Sequence, residues 1–208
     1  MHPAPSGIRP RYIRSASNVW ADKLSREMDK GDWRLRPILF QLLDERWGLH
    51  TIDRFATANN HQLPKFNSQF CDPLSSGVDA LAQSDQDWRQ ENNWVNPPWE
   101  LLDDVVAKLR NSGGAATVIA PDWPDRAWYQ RLLELSSEIV TMPRHHNMFY
   151  PGRLGSSVAI GPSSWNAVAF RVPALPAGVT HRAEASLRLS PVLPRLRLDL
   201  HAMRLLRQ

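Results

Sequence analysis

From residue 50 to residue 142, short apolar runs alternate with stretches of helical periodicity, and that order leaves few ways to fold. His50 to Ala56 (HTIDRFA) and Asn93 to Asn96 (NWVN) read as short strands. Ala115 to Ala120 (AATVIA) is a continuous apolar run suited to a strand covered on both faces, and Glu138 to Met142 (EIVTM) reads as a further strand. Between them, Trp99 to Asn111 places Leu101, Leu102, Val105, Val106 and Leu109 on one helical face before Gly113-Gly114 stops it. Asp125 to Leu135 forms another helix. Alternation with connections this short favours a mostly parallel sheet with helical crossovers, so the expectation is a doubly wound α/β domain. Ligands in such sheets gather at the carboxyl ends of the strands.

The flanks are different in kind. Ser17 to Lys30 has the pattern of a capped helix, with Trp20, Leu24 and Met28 on one face. Pro37 to Trp47 predicts a second helix, closed by Gly48. Residues 57–77 read as loop, Trp165 to Val172 as a late strand, and the stretch beyond Pro173 as either a short basic helix or a poorly ordered tail. The expected division is therefore 1–36, 37–172 and 173–208. Residues 1–36 carry eight Lys/Arg against four Asp/Glu and residues 172–208 six against two, so each end is about +4 and the body about −4. Basic ends suit phosphates, whereas the body is no obvious nucleic-acid surface. No apolar run approaches the ~20 residues of a membrane span, and no secretory h-region opens the chain. Cys71 is the sole cysteine, which agrees with a reducing, intracellular setting, cytoplasmic or nuclear, and suggests a packed, inert thiol.

The most chemically suggestive stretch, Asn96-Pro97-Pro98-Trp99, falls after a strand and before a helix. An exocyclic amino group is held for alkylation when two acceptors take its two N–H bonds. Asn96 offers a side-chain carbonyl and Pro97 a main-chain carbonyl; Pro98 stiffens the turn and adds no competing N–H. Trp99 offers a ring on which an extruded base can stack. The same four residues also suit a plain strand-to-helix turn.

Residues 37–172 resemble the Dam-like adenine-N6 DNA methyltransferases of phages and retroelements. The resemblance rests on Ile52-Asp53-Arg54-Phe55-Ala56 followed by Asn60, on Val78-Asp79-Ala80-Leu81 with Trp88, on Trp94-Val95-Asn96-Pro97-Pro98-Trp99, and on Gly152-Arg153-Leu154. It implies a Rossmann-like fold, DNA as partner and S-adenosylmethionine as methyl donor. It also implies Asn96, Pro97, Pro98 and Trp99 as the catalytic corner, with Asp53, Phe55 and Asp79 around the donor. Two features depart from the family. Residues 56–60 contain no glycine where the donor's backbone cradle is expected, and the motif ends in Trp99 where Tyr is commoner.

Ser17 to Arg26 (SNVWADKLSR) is similar to the closing helix of retrotransposon ribonuclease H domains, in which Asp22 would match a metal-binding carboxylate. A single acid cannot organise the two metal ions of phosphodiester hydrolysis, so no nuclease activity is expected. The two resemblances in this order imply a piece of a DIRS-like retrotransposon polyprotein. His145-His146 lacks partners at metal-ligand spacing. Asp122-Trp123-Pro124 with Trp128-Tyr129 reads either as packing or as the far wall of a base pocket. Two functions follow: methyl transfer to adenine in DNA, or a catalytically inactive nucleic-acid or partner-binding module on the same scaffold.

Overall fold

The computed structural model describes residues 33–142, 144–145, 148–151, 165–176 and 195–197. The chain divides into two compact units, Met1–Lys30 and Gly31–Gln208. The first unit, with the helix expected over Ser17 to Lys30 and with Asp22, lies outside the described residues, as does Gly152-Arg153-Leu154.

The larger unit is mixed α/β. Its strands are β1 (Trp33–Leu35), β2 (Ile52–Asp53), β3 (Asn67–Ser68), β4 (Gly77–Val78), β5 (Asn92–Val95), β6 (Ala115–Pro121), β7 (Glu138–Met142), β8 (Phe149–Pro151), β9 (Ala167–Val172) and β10 (Arg195–Arg197). Its helices are α1 (Pro37–Trp47), α2 (Asp85–Gln90), α3 (Leu102–Ser112) and α4 (Ala127–Leu135). The main sheet has six strands in the order β10-β7-β9-β6-β5-β2. Strand β5 pairs in parallel with β2 and β6, and β10 with β7. Strand β9 is antiparallel to both β6 and β7 and lies between them. The sheet is therefore mixed, with an antiparallel strand inserted among the parallel ones. Ala167, Ala169 and Val168 pack tightly enough on both faces to fill that slot.

Period-two burial sorts the strands onto two cores. Val95, Val118, Ala120, Ile139 and Phe170 face one layer with α2, α3 and α4; Trp94, Ile119, Val140, Met142 and Ala169 face the other with α1, β1 and β8. Helix α1 buries Leu39, Leu43 and Trp47 at i, i+4 and i+8, begins with Pro37, and stops at Gly48, whose φ is +83°. Helix α3 carries Asp103 and Asp104 in its first turn and Arg110 in its last, which suits its dipole. It closes on Gly113 in the left-handed region, with Gly113 N–H donating to Leu109 O at 3.0 Å.

Beyond β2 the sheet edge continues irregularly. Asp53 forms a parallel bridge with Phe66, and β3 pairs in parallel with β4. Part of the stretch expected to be loop, residues 57–77, is thus tied to the sheet. The tail expected beyond Pro173 is also in part ordered, since Arg195–Arg197 pairs with β7. Cys71 is exposed, not packed as expected. Among the described residues no helix is long and apolar enough to cross a membrane.

Candidate functional site

Strand β5 runs out at Val95, and Asn96 to Trp99 turns the chain into α3 through a 3-10 turn, Trp99–Leu101. Pro98 sits at φ −51° and ψ 137°, a conformation its ring imposes, and its carbonyl accepts Leu101 N–H at 3.0 Å. The Asn96 side-chain nitrogen donates to the main-chain carbonyl of Trp33, on β1. A carbonyl oxygen accepts only a donor, so this bond fixes which end of the amide is which. Among the described residues, neither Asn96 Oδ1 nor the Pro97 carbonyl accepts a hydrogen bond. The two acceptors expected for an amino group are the two left available. Asn96 is half-buried and Pro97 buried.

Around this corner the fold collects aromatic rings from distant parts of the chain. A small recess with room for about one water is lined by Trp33, Asn96, Pro97, Trp99, Phe149 and Trp165, with Ile119 and Ala120 as its floor. Trp99 meets Trp165 edge-on at 4.8 Å between centroids and Trp123 edge-on at 5.3 Å. Trp33 lies nearly parallel to Trp99, at 6.4 Å and 27°. Trp99 and Trp123 follow the carboxyl ends of β5 and β6, Trp165 precedes the antiparallel β9, and Trp33 and Phe149 come from β1 and β8. Of the aromatics expected as a far wall, Trp123 touches the corner residue Trp99. Trp128 and Tyr129 instead pack in the helix-covered core, with Tyr129 Oη donating to Asp122 Oδ1 at 2.7 Å.

The residues expected to hold the donor are placed differently. Asp53 is only 3% exposed, and its Oδ2 accepts Gln62 N–H at 2.9 Å. Gln62 also donates to Leu35 O at 2.5 Å, so residues 57–66 fold over the end of β2 and are tied to β1. No helix follows β2: Ala56 to His61 form a turn in which Asn60 Oδ1 accepts Thr57 N–H at 2.6 Å. Phe55 packs against the helix-covered core. Asp79 is exposed, at φ +53°, and its Oδ1 caps the turn Ala80–Ala82 by accepting Leu81 N–H at 3.0 Å. None of Asp53, Phe55 and Asp79 lines the recess. Asp53 is closed over and no glycine cradle follows β2, so in this conformation Asp53, Phe55 and Asp79 line no common pocket.

Two buried polar clusters flank strand β5, which leads into the corner. Arg54, 1% exposed, spans β2, β3, β5 and α2: Nε donates to Asn93 Oδ1 at 2.7 Å, and Nη1 to Asn67 Oδ1 at 2.8 Å and Asp87 Oδ2 at 2.6 Å. Its guanidinium stands 4.7 Å from the centroid of Trp88, whose Nε1 donates to Ala80 O at 2.8 Å. Burial lowers the Arg54 pKa and Asp87 opposes that shift. Two stretches of the resemblance, Ile52 to Ala56 and Val78 to Trp88, are thereby brought together in space. On the opposite face of the sheet, His50 Nδ1 meets Asp44 Oδ1 at 2.5 Å and Nε2 meets Thr117 Oγ1 at 2.7 Å. Burial pushes the imidazole pKa below 6.5, with Asp44 pulling the other way. The arrangement has the order of an acid–base–hydroxyl triad, yet His50 has no exposed side-chain surface and borders no recess, so it braces the fold.

Sequence reasoning missed Trp33, Phe149 and Trp165 as wall residues. The signal for Trp33 was present: Trp33-Arg34-Leu35-Arg36 alternates apolar and basic just before Pro37, the period of a short strand. Among the described residues, no three His, Cys, Asp or Glu side chains gather as a metal site. No protein-family model matches this chain, and no curated protein matches it as a relative.

Proposed function

We propose that the chain is a retroelement-derived, Dam-like domain whose corner at Asn96 and Pro97 holds the exocyclic amino group of adenine in DNA, with S-adenosylmethionine as the methyl donor. The observation that carries this reading is the state of the corner. Trp33 O takes the donor end of the Asn96 amide, and the two acceptors, Asn96 Oδ1 and Pro97 O, are left to an incoming amine beside a ring of tryptophans. Holding both N–H bonds turns the nitrogen lone pair away from the acceptors and fixes its approach, a gain in orientation and not in basicity.

The sheet supports a Rossmann-like, doubly wound reading. Followed through the Asp53–Phe66 bridge, the order is β4-β3-β2-β5-β6-β9-β7-β10. From β2 the chain proceeds outward to β3 and β4, and from β5 it proceeds outward the other way to β6 and β7. The reversal lies between β2 and β5, where ligands of doubly wound sheets bind, and the Asn96 corner stands at that point.

A second reading is favoured by the closure of Asp53 beneath residues 57–66: a nucleic-acid or partner-binding module that has lost methyl transfer. The two separate in one pair of measurements. Calorimetry with S-adenosylmethionine, together with mass spectrometry of DNA for N6-methyladenine, is expected to show donor binding, and methylation that Asn96→Ala abolishes. No heat at millimolar donor would end the enzymatic reading and leave the binding module.

A further inference from the structure

We infer that Trp33, outside the corner motif and more than sixty positions before it in the chain, is the second half of the base site, acting as a positioning residue. The inference rests on the amino-group reading above and extends it. One residue makes two separable contacts. Its main-chain carbonyl holds the Asn96 amide nitrogen, and its indole lies nearly parallel to Trp99, 6.4 Å away between centroids and 27° off parallel. Both rings line the recess with Asn96 and Pro97.

A flat ring held between two others needs roughly 7 Å, twice the ~3.5 Å of a carbon–carbon contact. The 6.4 Å between the Trp33 and Trp99 centroids is that of an offset pair, and the recess beside them holds about one water, so a base enters only when the Trp33 ring swings aside. That swing leaves the carbonyl on Asn96, because side-chain rotation does not move it. Strand β1 is suited to this adjustment. It belongs to a two-stranded pair with β8, Trp33 opposite Pro151 and Leu35 opposite Phe149, and forms no part of the six-stranded sheet. A two-stranded pair of this kind shifts at less cost than a central strand. The edge-on rings of Trp165 and Phe149 close the sides; Phe149 also meets Trp33 edge-on at 6.0 Å. The ligand this slot selects is a planar base bearing an amino group at its rim: stacked on both faces, with its N–H bonds on Asn96 Oδ1 and Pro97 O.

The test uses the full chain and a short single-stranded oligodeoxyadenylate, followed by fluorescence anisotropy. Trp33→Ala is expected to weaken binding about tenfold, the size of one lost base–aromatic stack, and Trp33→Phe to restore most of it. If Trp33→Ala does not fold, Trp33→Leu keeps the apolar bulk and is expected to fold with the same loss. Asn96→Asp keeps an acceptor but loses the donor to Trp33 O, and is expected to weaken binding about tenfold as well. Near-UV circular dichroism adds a readout that packing alone does not move: ligand inserted between Trp33 and Trp99 alters their coupled signal in the wild type and not in Trp33→Leu. Unchanged affinity in both Trp33→Ala and Trp33→Leu, with loss in Trp99→Ala, overturns the role of Trp33 while the Asn96 reading stands. Absence of binding by the wild-type chain overturns both.

Discussion

At the scale of single residues, the sheet that carries the corner holds buried polar groups that sequence patterns hide. Arg54 is a charged residue in the middle of what reads as a short strand, yet it is almost wholly buried and ties Asn93, Asn67 and Asp87 together. Replacing it with methionine keeps the bulk and orphans three polar partners, two of them buried, so the expected loss is about 3 kcal/mol. Urea unfolding of Arg54→Met checks this; a loss below ~1 kcal/mol would show that the network is not needed. His50 gives a pH signature. Its folded pKa lies below the unfolded value, so on acidification the unfolded chain takes up the proton first. Stability is complete above about pH 6.5 and falls as the pH drops through that value toward the lowered folded pKa. The urea midpoint is expected to decline over this window in the wild type and to decline less in His50→Gln.

At the scale of elements, the strongest periodic signals coincide with the structure and the weakest fail for physical reasons. Helix α1 and the α3 face of Leu102, Val105, Val106 and Leu109 stand where the pattern placed them, because a buried stripe and a glycine stop constrain a helix on their own. Strand β2 shrinks to Ile52–Asp53 because Arg54 turns inward and Phe55 packs under the helices, contacts no alternation rule encodes. The short β3 lies in the stretch expected to be loop and α2 beyond it where no element is expected, and both are tied to that same buried arginine, through Asn67 and Asp87. Gly113-Gly114 shows how exact the legible parts are. A Cβ on Gly114 would stand 2.2 Å from the Trp88 carbonyl oxygen, a main-chain atom. Gly114→Ala is therefore expected to lower stability by about 2–3 kcal/mol, as overpacking against backbone does, whereas Gly48→Ala meets open space and bears only the strain of its positive φ. Thermal unfolding of the two variants ranks them; equal midpoints would contradict the close approach.

At the scale of the whole molecule, the order of strands carries what no local window can. That β9 enters between β6 and β7 is decided by pairing across a long sequence separation, and nothing in Trp165 to Val172 names its neighbours. The candidate site was legible in its motif, Asn96 to Trp99, because the double proline acts locally. Its walls were not, since Trp33, Phe149 and Trp165 arrive from separate elements and meet only after the sheet forms. The expected donor residues show the converse: Asp53, Phe55 and Asp79 each have a place in a motif, but the fold gives them separate surroundings, away from the recess.

The most direct measurement compares one DNA strand in two forms: with adenine, and with the same purine lacking its amino group at a single position. If Asn96 Oδ1 and Pro97 O receive that amine, the wild-type chain binds the adenine strand about tenfold more tightly, and Asn96→Ala erases the preference. Equal affinity of the wild-type chain for both strands would contradict the account at its centre.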